Sequence, residues 1–152
     1  MSTDDLPNGG AYAIGAALFA ALEADALLQG AKLLDNPVRA SALADGERIV
    51  FFEDVSDGPG PTDKPLERVY RYNVGVINRT DDARLGAHRD YRSAKRALKA
   101  ALPRLKGVVQ VGNHREGEIA FRLENIDVGG GLVLGTFTLG YRDAAVFGAV
   151  SS

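Results

Sequence analysis

Between Ala11 and Leu28, the residues Ile14, Leu18, Ala21, Leu22 and Asp25 follow helical spacing. Phe19, Ala20 and Leu27 extend the apolar surface round most of the circumference, so this first helix needs cover on more than one side. The period then breaks. Gly30 to Gly46 contains Asn36-Pro37, and the residue before a proline is pushed out of the helical region, which predicts irregular chain with one short turn. Arg48 to Glu53 is a short strand with Ile49 and Phe51 on one face and Val50 and Phe52 on the other, so both faces are at least partly buried. Arg68 to Asn78 is a second strand, with Tyr70, Tyr72, Val74 and Val76 sharing a face. The segment between them, Asp54 to Glu67, is acidic and rich in glycine and proline. It predicts a long loop that continues neither strand.

Thr80-Asp81-Asp82 supplies capping chemistry for a second helix running to about Leu102, with Pro103 as its stop and Gly86 interrupting its first turns. Ala87, Tyr91, Ala94, Leu98, Ala101 and Leu102 form an apolar stripe that should lie on the sheet, and Arg89, Arg92, Arg96 and Lys99 form a basic one. Three more strands are predicted, at Val108 to Val111, Glu118 to Ile126 and Leu132 to Tyr141, with turns at Arg115 to Gly117 and Asp127 to Gly131. In the last strand Val133, Phe137, Leu139 and Tyr141 are the buried positions. Helix, two strands, helix and three strands in that order predict an α+β fold: a mainly antiparallel sheet of about five strands with two main helices packed against it. Residues 1–10 read as a flexible lead, 11–143 as one domain and 144–152 as a tail.

Charge adds something the hydrophobic pattern does not. Residues 1–67 carry 12 acids and 4 bases, residues 68–115 carry 3 acids and 12 bases, and residues 116–152 carry 5 acids and 2 bases, within a total of −2. Opposed patches on one small domain steer association and suit copies that meet head to tail. The acidic partners are Asp54, Asp57, Asp63 and Glu67 in the loop, and the basic ones are Arg89, Arg92, Arg96 and Lys99 on the helix. These eight residues are the expected protein interface.

Length and composition are those of an ordinary globular domain. At 152 residues, 45% hydrophobic and 25% charged, the chain can bury roughly 70% of its unfolded surface. It has no cysteine, hence neither disulfides nor thiolate metal sites. The acidic, polar first residues argue against a secretory signal, and the longest apolar stretch, Ala11 to Leu22, is shorter than the roughly 20 residues that cross a bilayer. A soluble protein with no membrane partner is expected.

Motifs for catalysis and cofactors do not emerge, and no catalytic residue, cofactor or metal is assigned. Ser41, Ser56 and Ser93 lack the glycines of a nucleophile elbow. His88 and His114 lie apart, without the spacing of a zinc helix, and read as surface or edge residues. Gly129 to Gly131 precedes a strand where a phosphate loop needs a helix. Glu53, Asp54, Asp57 and Asp63 lack the alternate ligand spacing of a calcium loop and read as solvated. Asn78-Arg-Thr80 matches a glycosylation sequon that is incidental without secretion.

The segment from Glu47 to Leu102, together with the closing strand, resembles the tail terminator, or tail completion, proteins of long-tailed bacteriophages. The likeness rests on an N-terminal helix, a strand of the type Ile49-Val-Phe-Phe52, a long loop, a strand of the type Tyr70-Arg-Tyr-Asn-Val-Gly-Val76, a helix of the type His88 to Leu98, and a final strand ending Phe137-Thr-Leu-Gly-Tyr141. It spans roughly residues 11 to 142 and is architectural. The resemblance implies a non-enzymatic virion protein at the head-proximal end of the tail, present in the host cytoplasm during assembly. Such a protein forms a ring, expected to be a hexamer, that caps the tail tube, stops its polymerisation and offers a docking surface to the head-side connector. Its implied partners are further copies of itself, the tube protein and the connector, with non-specific contact to DNA passing through the ring. A tail tube or head-tail joining protein shares this architecture, and the basic stripe leaves a sequence-independent nucleic-acid-binding module as the alternative.

Overall fold

The computed structural model describes residues 9–36, 47–64, 66–80, 82–107, 110–123 and 131–142. The predicted lead before Gly9, the tail 144–152 and the turn Asp127 to Gly130 lie outside them. The fold is α+β. Among the described residues, α1 (Gly10–Ala24) and a 3-10 turn (Ala26–Leu28) precede β1 (Lys32–Asp35), β2 (Arg48–Pro59) and β3 (Glu67–Asn78). Then come α2 (Ala83–Ala101), a 3-10 segment (Leu102–Gly107), β4 (Gln110–Leu123) and β5 (Gly131–Arg142). The strands form one sheet in the order β1-β2-β3-β5-β4, antiparallel except for the pairing of β1 with β2.

Both helices pack on one face of this sheet. Ile14, Leu18 and Leu22 of α1 and Ala87, Tyr91, Ala94, Leu98 and Ala101 of α2 enclose a core with Val50, Phe52, Tyr70, Tyr72, Val74, Val76, Val133, Phe137, Leu139 and Tyr141. Period-two alternation carries every second residue of β2, β3 and β5 into that core. Aromatic neighbours on this face therefore stack: Phe52 lies over Tyr72, its diagonal neighbour across β2 and β3, at 5.0 Å between ring centroids, and Tyr72 over its registered partner Phe137 at 5.2 Å. On the opposite face the ring of Phe51 covers its partner Gly75, and Glu53, Asn73 and Thr136 form a hydrogen-bonded row across three strands. That row satisfies polar groups a half-covered sheet would otherwise leave unpaired.

Several expectations need correction. Four residues of the stretch expected to be irregular, Lys32 to Asp35, form β1, because the β2 edge offers free main-chain donors and acceptors. The acidic segment does continue the strands: β2 stays paired with β3 as far as Pro59, opposite Arg68, with one irregularity between Asp54 and Ser56. Residues 110–111 of the strand predicted at Val108 to Val111 and 118–123 of the one predicted at Glu118 to Ile126 belong to a single β4, the rest of both lying outside the described residues. The turn predicted at Arg115 to Gly117 is absorbed as a register shift between Glu116 and Ile119. The strand count agrees with expectation only because one strand is gained and two are fused. The first helix ends at Ala24, with the main-chain N–H of Leu27 bonded to Asp25 before the 3-10 turn. Of its apolar circumference, Ile14, Leu18 and Leu22 are buried and Ala11, Ala17, Phe19 and Ala21 are partly buried against the core, while Tyr12 is exposed, as is Leu27 in the 3-10 turn.

At α2 the expectations fare better. Asp82 caps the helix by accepting from the Leu85 N–H at 3.3 Å. Gly86 has a packing reason, since a Cβ there would sit 2.5 Å from the Asn78 amide nitrogen. Asn78 itself is buried, and its side-chain oxygen accepts from the Thr80 N–H and hydroxyl. The α-helix ends at Ala101 with Leu102 as its C-cap, one residue short of the expected end before Pro103, and Pro103 sits early in the 3-10 segment that follows, where a missing N–H costs little.

Candidate assembly surfaces

The basic helix presents its two stripes as expected. Ala87, Tyr91, Ala94, Leu98 and Ala101 are buried and Leu102 is half-buried, whereas Arg89, Arg92, Arg96 and Lys99 are all exposed. Among the described residues no acid pairs with any of these four. The single acid of α2, Asp90, points inward. There Arg48 grips it through two contacts of 2.8 Å, and Asn78 donates to it at 3.2 Å. Its charge is therefore spent on the interior, and the outer surface of α2 remains wholly cationic.

The four predicted acids are distributed differently from a loop cluster. Asp54 and Asp57 lie on β2, Asp63 is exposed in the short connection, and Glu67 opens β3, where its carbonyl accepts from Gly60 N at 2.9 Å. The Asp54 carboxylate accepts the phenolic hydroxyl of Tyr70. Asp57 accepts from Tyr141 at 2.8 Å and pairs with Arg68 at 3.3 Å. Burial first, and then these carboxylates, push the phenols of Tyr70 and Tyr141 well above the usual tyrosine range. Glu53 turns to the other face, towards Asn73. The acids thus do not converge, and no group of three or more potential ligands for a metal is found among the described residues. The acidic and basic sets do not pair within one chain: among the described residues Asp54 and Asp57 take Tyr70, Tyr141 and Arg68 as side-chain partners, none of them on α2.

Sequence reasoning missed a crevice between the C-terminal half of α2 and β4. It is lined by Lys95, Arg96, Lys99, Leu102, His114, Glu116 and Phe137 and encloses about 360 Å³. Its floor is apolar: the His114 ring stacks on Phe137, with centroids 5.5 Å apart and planes 7° from parallel. A 2.6 Å hydrogen bond ties His114 Nε2 to the Tyr72 hydroxyl. Burial pushes the His114 pKa down, against an opposing pull from Glu116. Glu116 is held by the Tyr91 hydroxyl at 2.7 Å and by Lys95 Nζ at 3.1 Å, while Arg96 and Lys99 complete a cationic rim. The register of β4 against β5 sets Glu116 opposite Phe137 and His114 opposite Leu139, a placement with no local signature in the sequence.

A second hollow of about 530 Å³ lies towards the N-terminal end of α2, where the exposed Phe121 stacks on His88 at 5.0 Å. No described helix is long and apolar enough to cross a membrane.

No family model matches the chain. No curated protein matches it either. Among solved structures, the chain is similar to a chain of the virion of a native gene transfer agent particle, with 20% identity and a TM-score of 0.47 over 90% of this chain and 99% of that one.

Proposed function

We propose that the protein is a non-enzymatic structural component of a phage-like virion, a tail terminator that self-associates into a ring, of six copies, on the end of the tail tube. In this role it stops tube polymerisation and receives the head-side connector. The observation that carries the reading is the cationic outer face of α2, where Arg89, Arg92, Arg96 and Lys99 meet no acid among the described residues, on a domain whose β2–β3 hairpin carries Asp54, Asp57 and Asp63. Unlike patches on one body favour heterologous contacts, which close into rings when the rotation permits. The architectural resemblance of residues 11–142 to tail terminators supports the same role.

The test is gel filtration and electron microscopy of the full chain over a range of protein concentrations. Ring-shaped particles that dissociate at high salt are expected, since screening weakens exposed charge pairs. A chain that stays monomeric throughout, and is absent from the tail end of intact particles, overturns the reading. The basic stripe also favours a second reading, sequence-independent binding to nucleic acid. Tyr70, Tyr72, Tyr91 and Tyr141 are buried and offer no stacking platform to bases. Strongly salt-dependent retention of DNA by a monomer would favour that alternative.

A further inference from the structure

Two features of the molecule fit each other and cannot meet within one chain. The first is the irregularity in β2. Register with β3 passes from Asp54 opposite Tyr72 to Ser56 opposite Arg71, which leaves Val55 without a partner. Such a bulge bends the strand and re-aims a side chain. Val55 is 47% exposed, an apolar knob flanked by the carboxylates of Asp54 and Asp57. Asp54 receives the Tyr70 hydroxyl and no cation among the described residues, so it keeps its charge for an outside partner, whereas Asp57 receives the Tyr141 hydroxyl and already pairs with Arg68, keeping only spare acceptor capacity. The second feature is the crevice beside α2, with Phe137 and His114 as its floor; of the charged residues that line it, Lys95 pairs with Glu116, and Arg96 and Lys99 meet no acid among the described residues. An exposed apolar side chain next to the carboxylate of Asp54 complements the apolar floor of this hollow and the charge of Arg96 and Lys99 at its rim.

The two lie on different strands. Sheet order places β3 and β5 between β2 and β4, and at about 4.8 Å per strand β2 lies about 10 Å from β5, which carries Phe137 of the crevice floor, and about 14 Å from β4 in the same molecule. We propose that the β2 bulge of one copy, with Val55 at its apex, docks into the α2–β4 crevice of the next. Asp54 and Asp57 meet Arg96 and Lys99 across the contact. The proposal rests on the self-association reading and specifies the surfaces that carry it. The contact is heterologous, so each copy offers one knob and one crevice, and a closed ring leaves neither unfilled.

The chain has no cysteine, so single thiols report the contact without background. Full-length Val55→Cys and Lys99→Cys proteins, both altered at exposed positions, are mixed under conditions in which the wild type oligomerises and treated with a short bifunctional thiol reagent. Cross-linked dimers are expected in the mixture and in neither protein alone. They should be lost when Arg96→Glu is added to the Lys99→Cys protein. Wild-type rings without cross-linking in the mixture overturn this contact while leaving ring assembly standing, and so does self-cross-linking of the Val55→Cys protein, which marks a two-fold contact. A wild type that never oligomerises overturns both.

Discussion

Arg48 at the start of β2 and Asp90 in the second turn of α2 form a two-pronged ion pair, with Nε and one terminal nitrogen each 2.8 Å from a carboxylate oxygen. The same guanidinium donates to the carbonyls of Leu27 and Gln29, so one side chain joins the sheet, α2 and the end of the first helical segment. The Asp90 side chain is 5% exposed against 23% for Arg48, and the consequences of breaking the pair are therefore unequal. Arg48→Ala strands a buried carboxylate and is expected to cost about 3–5 kcal/mol. Asp90→Asn keeps a hydrogen-bonding side chain and leaves Arg48 access to water, for about 1–3 kcal/mol. Urea denaturation of both variants and the double mutant gives the coupling directly, and equal costs would contradict this asymmetry.

The cationic face of α2 should be separable from folding. Arg92→Glu with Arg96→Glu touches no buried contact and is expected to change stability by about 0.5 kcal/mol per site. Oligomerisation should be lost. A double mutant that melts like the parent and still completes tails at the normal rate would reduce the stripe to a solvated face.

Two glycines act as seats for aromatic groups. A Cβ at Gly75 would lie 1.9 Å from the Phe51 ring, and one at Gly135 would lie 1.9 Å from the Tyr91 hydroxyl, whereas at Gly58 nothing lies within 4 Å. Gly75→Ala and Gly135→Ala are expected to destabilise by about 1–3 kcal/mol through overpacking, with Gly58→Ala close to neutral. Thermal melts of the three variants check the order.

His114 should make the fold sensitive to mild acid. Burial lowers its pKa in the folded state, so the unfolded chain binds the proton more readily. Stability is then full above the unfolded value of 6.5 and falls as pH drops towards the lower folded value. Denaturation midpoints between about pH 5.5 and 7.5 should decline on acidification, and His114→Gln should flatten that slope. An unchanged slope would show that His114 keeps its proton affinity on folding.

The hairpin should tolerate shortening only at its tip. Residues 60–66 lie beyond the last registered pair, Pro59 with Arg68, so a shorter turn there costs the fold little, as closure entropy varies slowly with length. Removing 54–59 as well deletes strand pairing and the carboxylates that receive Tyr70 and Tyr141. The expectation is an unchanged melting temperature for the first variant and a marked drop for the second. Equal melting temperatures would show that the extension of β2 contributes nothing.

What the sequence determined alone was whatever depends on a residue and its near neighbours. The 3.6-residue spacing of Ala87, Tyr91, Ala94 and Leu98 placed α2 and its basic outer face, Asp82 placed its start, and two-residue alternation placed Tyr70 to Val76 on the core side. Tertiary structure decided the rest, because a strand is completed by its partner. Lys32 to Asp35 is a strand only beside β2, and Asp54 to Pro59 stays extended because β3 pairs with it and two tyrosines from other strands satisfy its acids. The glycine at 117 reads as a turn until β5, twelve residues long, provides a continuous template. The charge of Asp90 likewise counts towards α2 in the sequence but belongs to the interior once Arg48, 42 positions away, closes on it. Local periodicity carries no information about such pairings, which is why the basic stripe was legible and the crevice beside it was not.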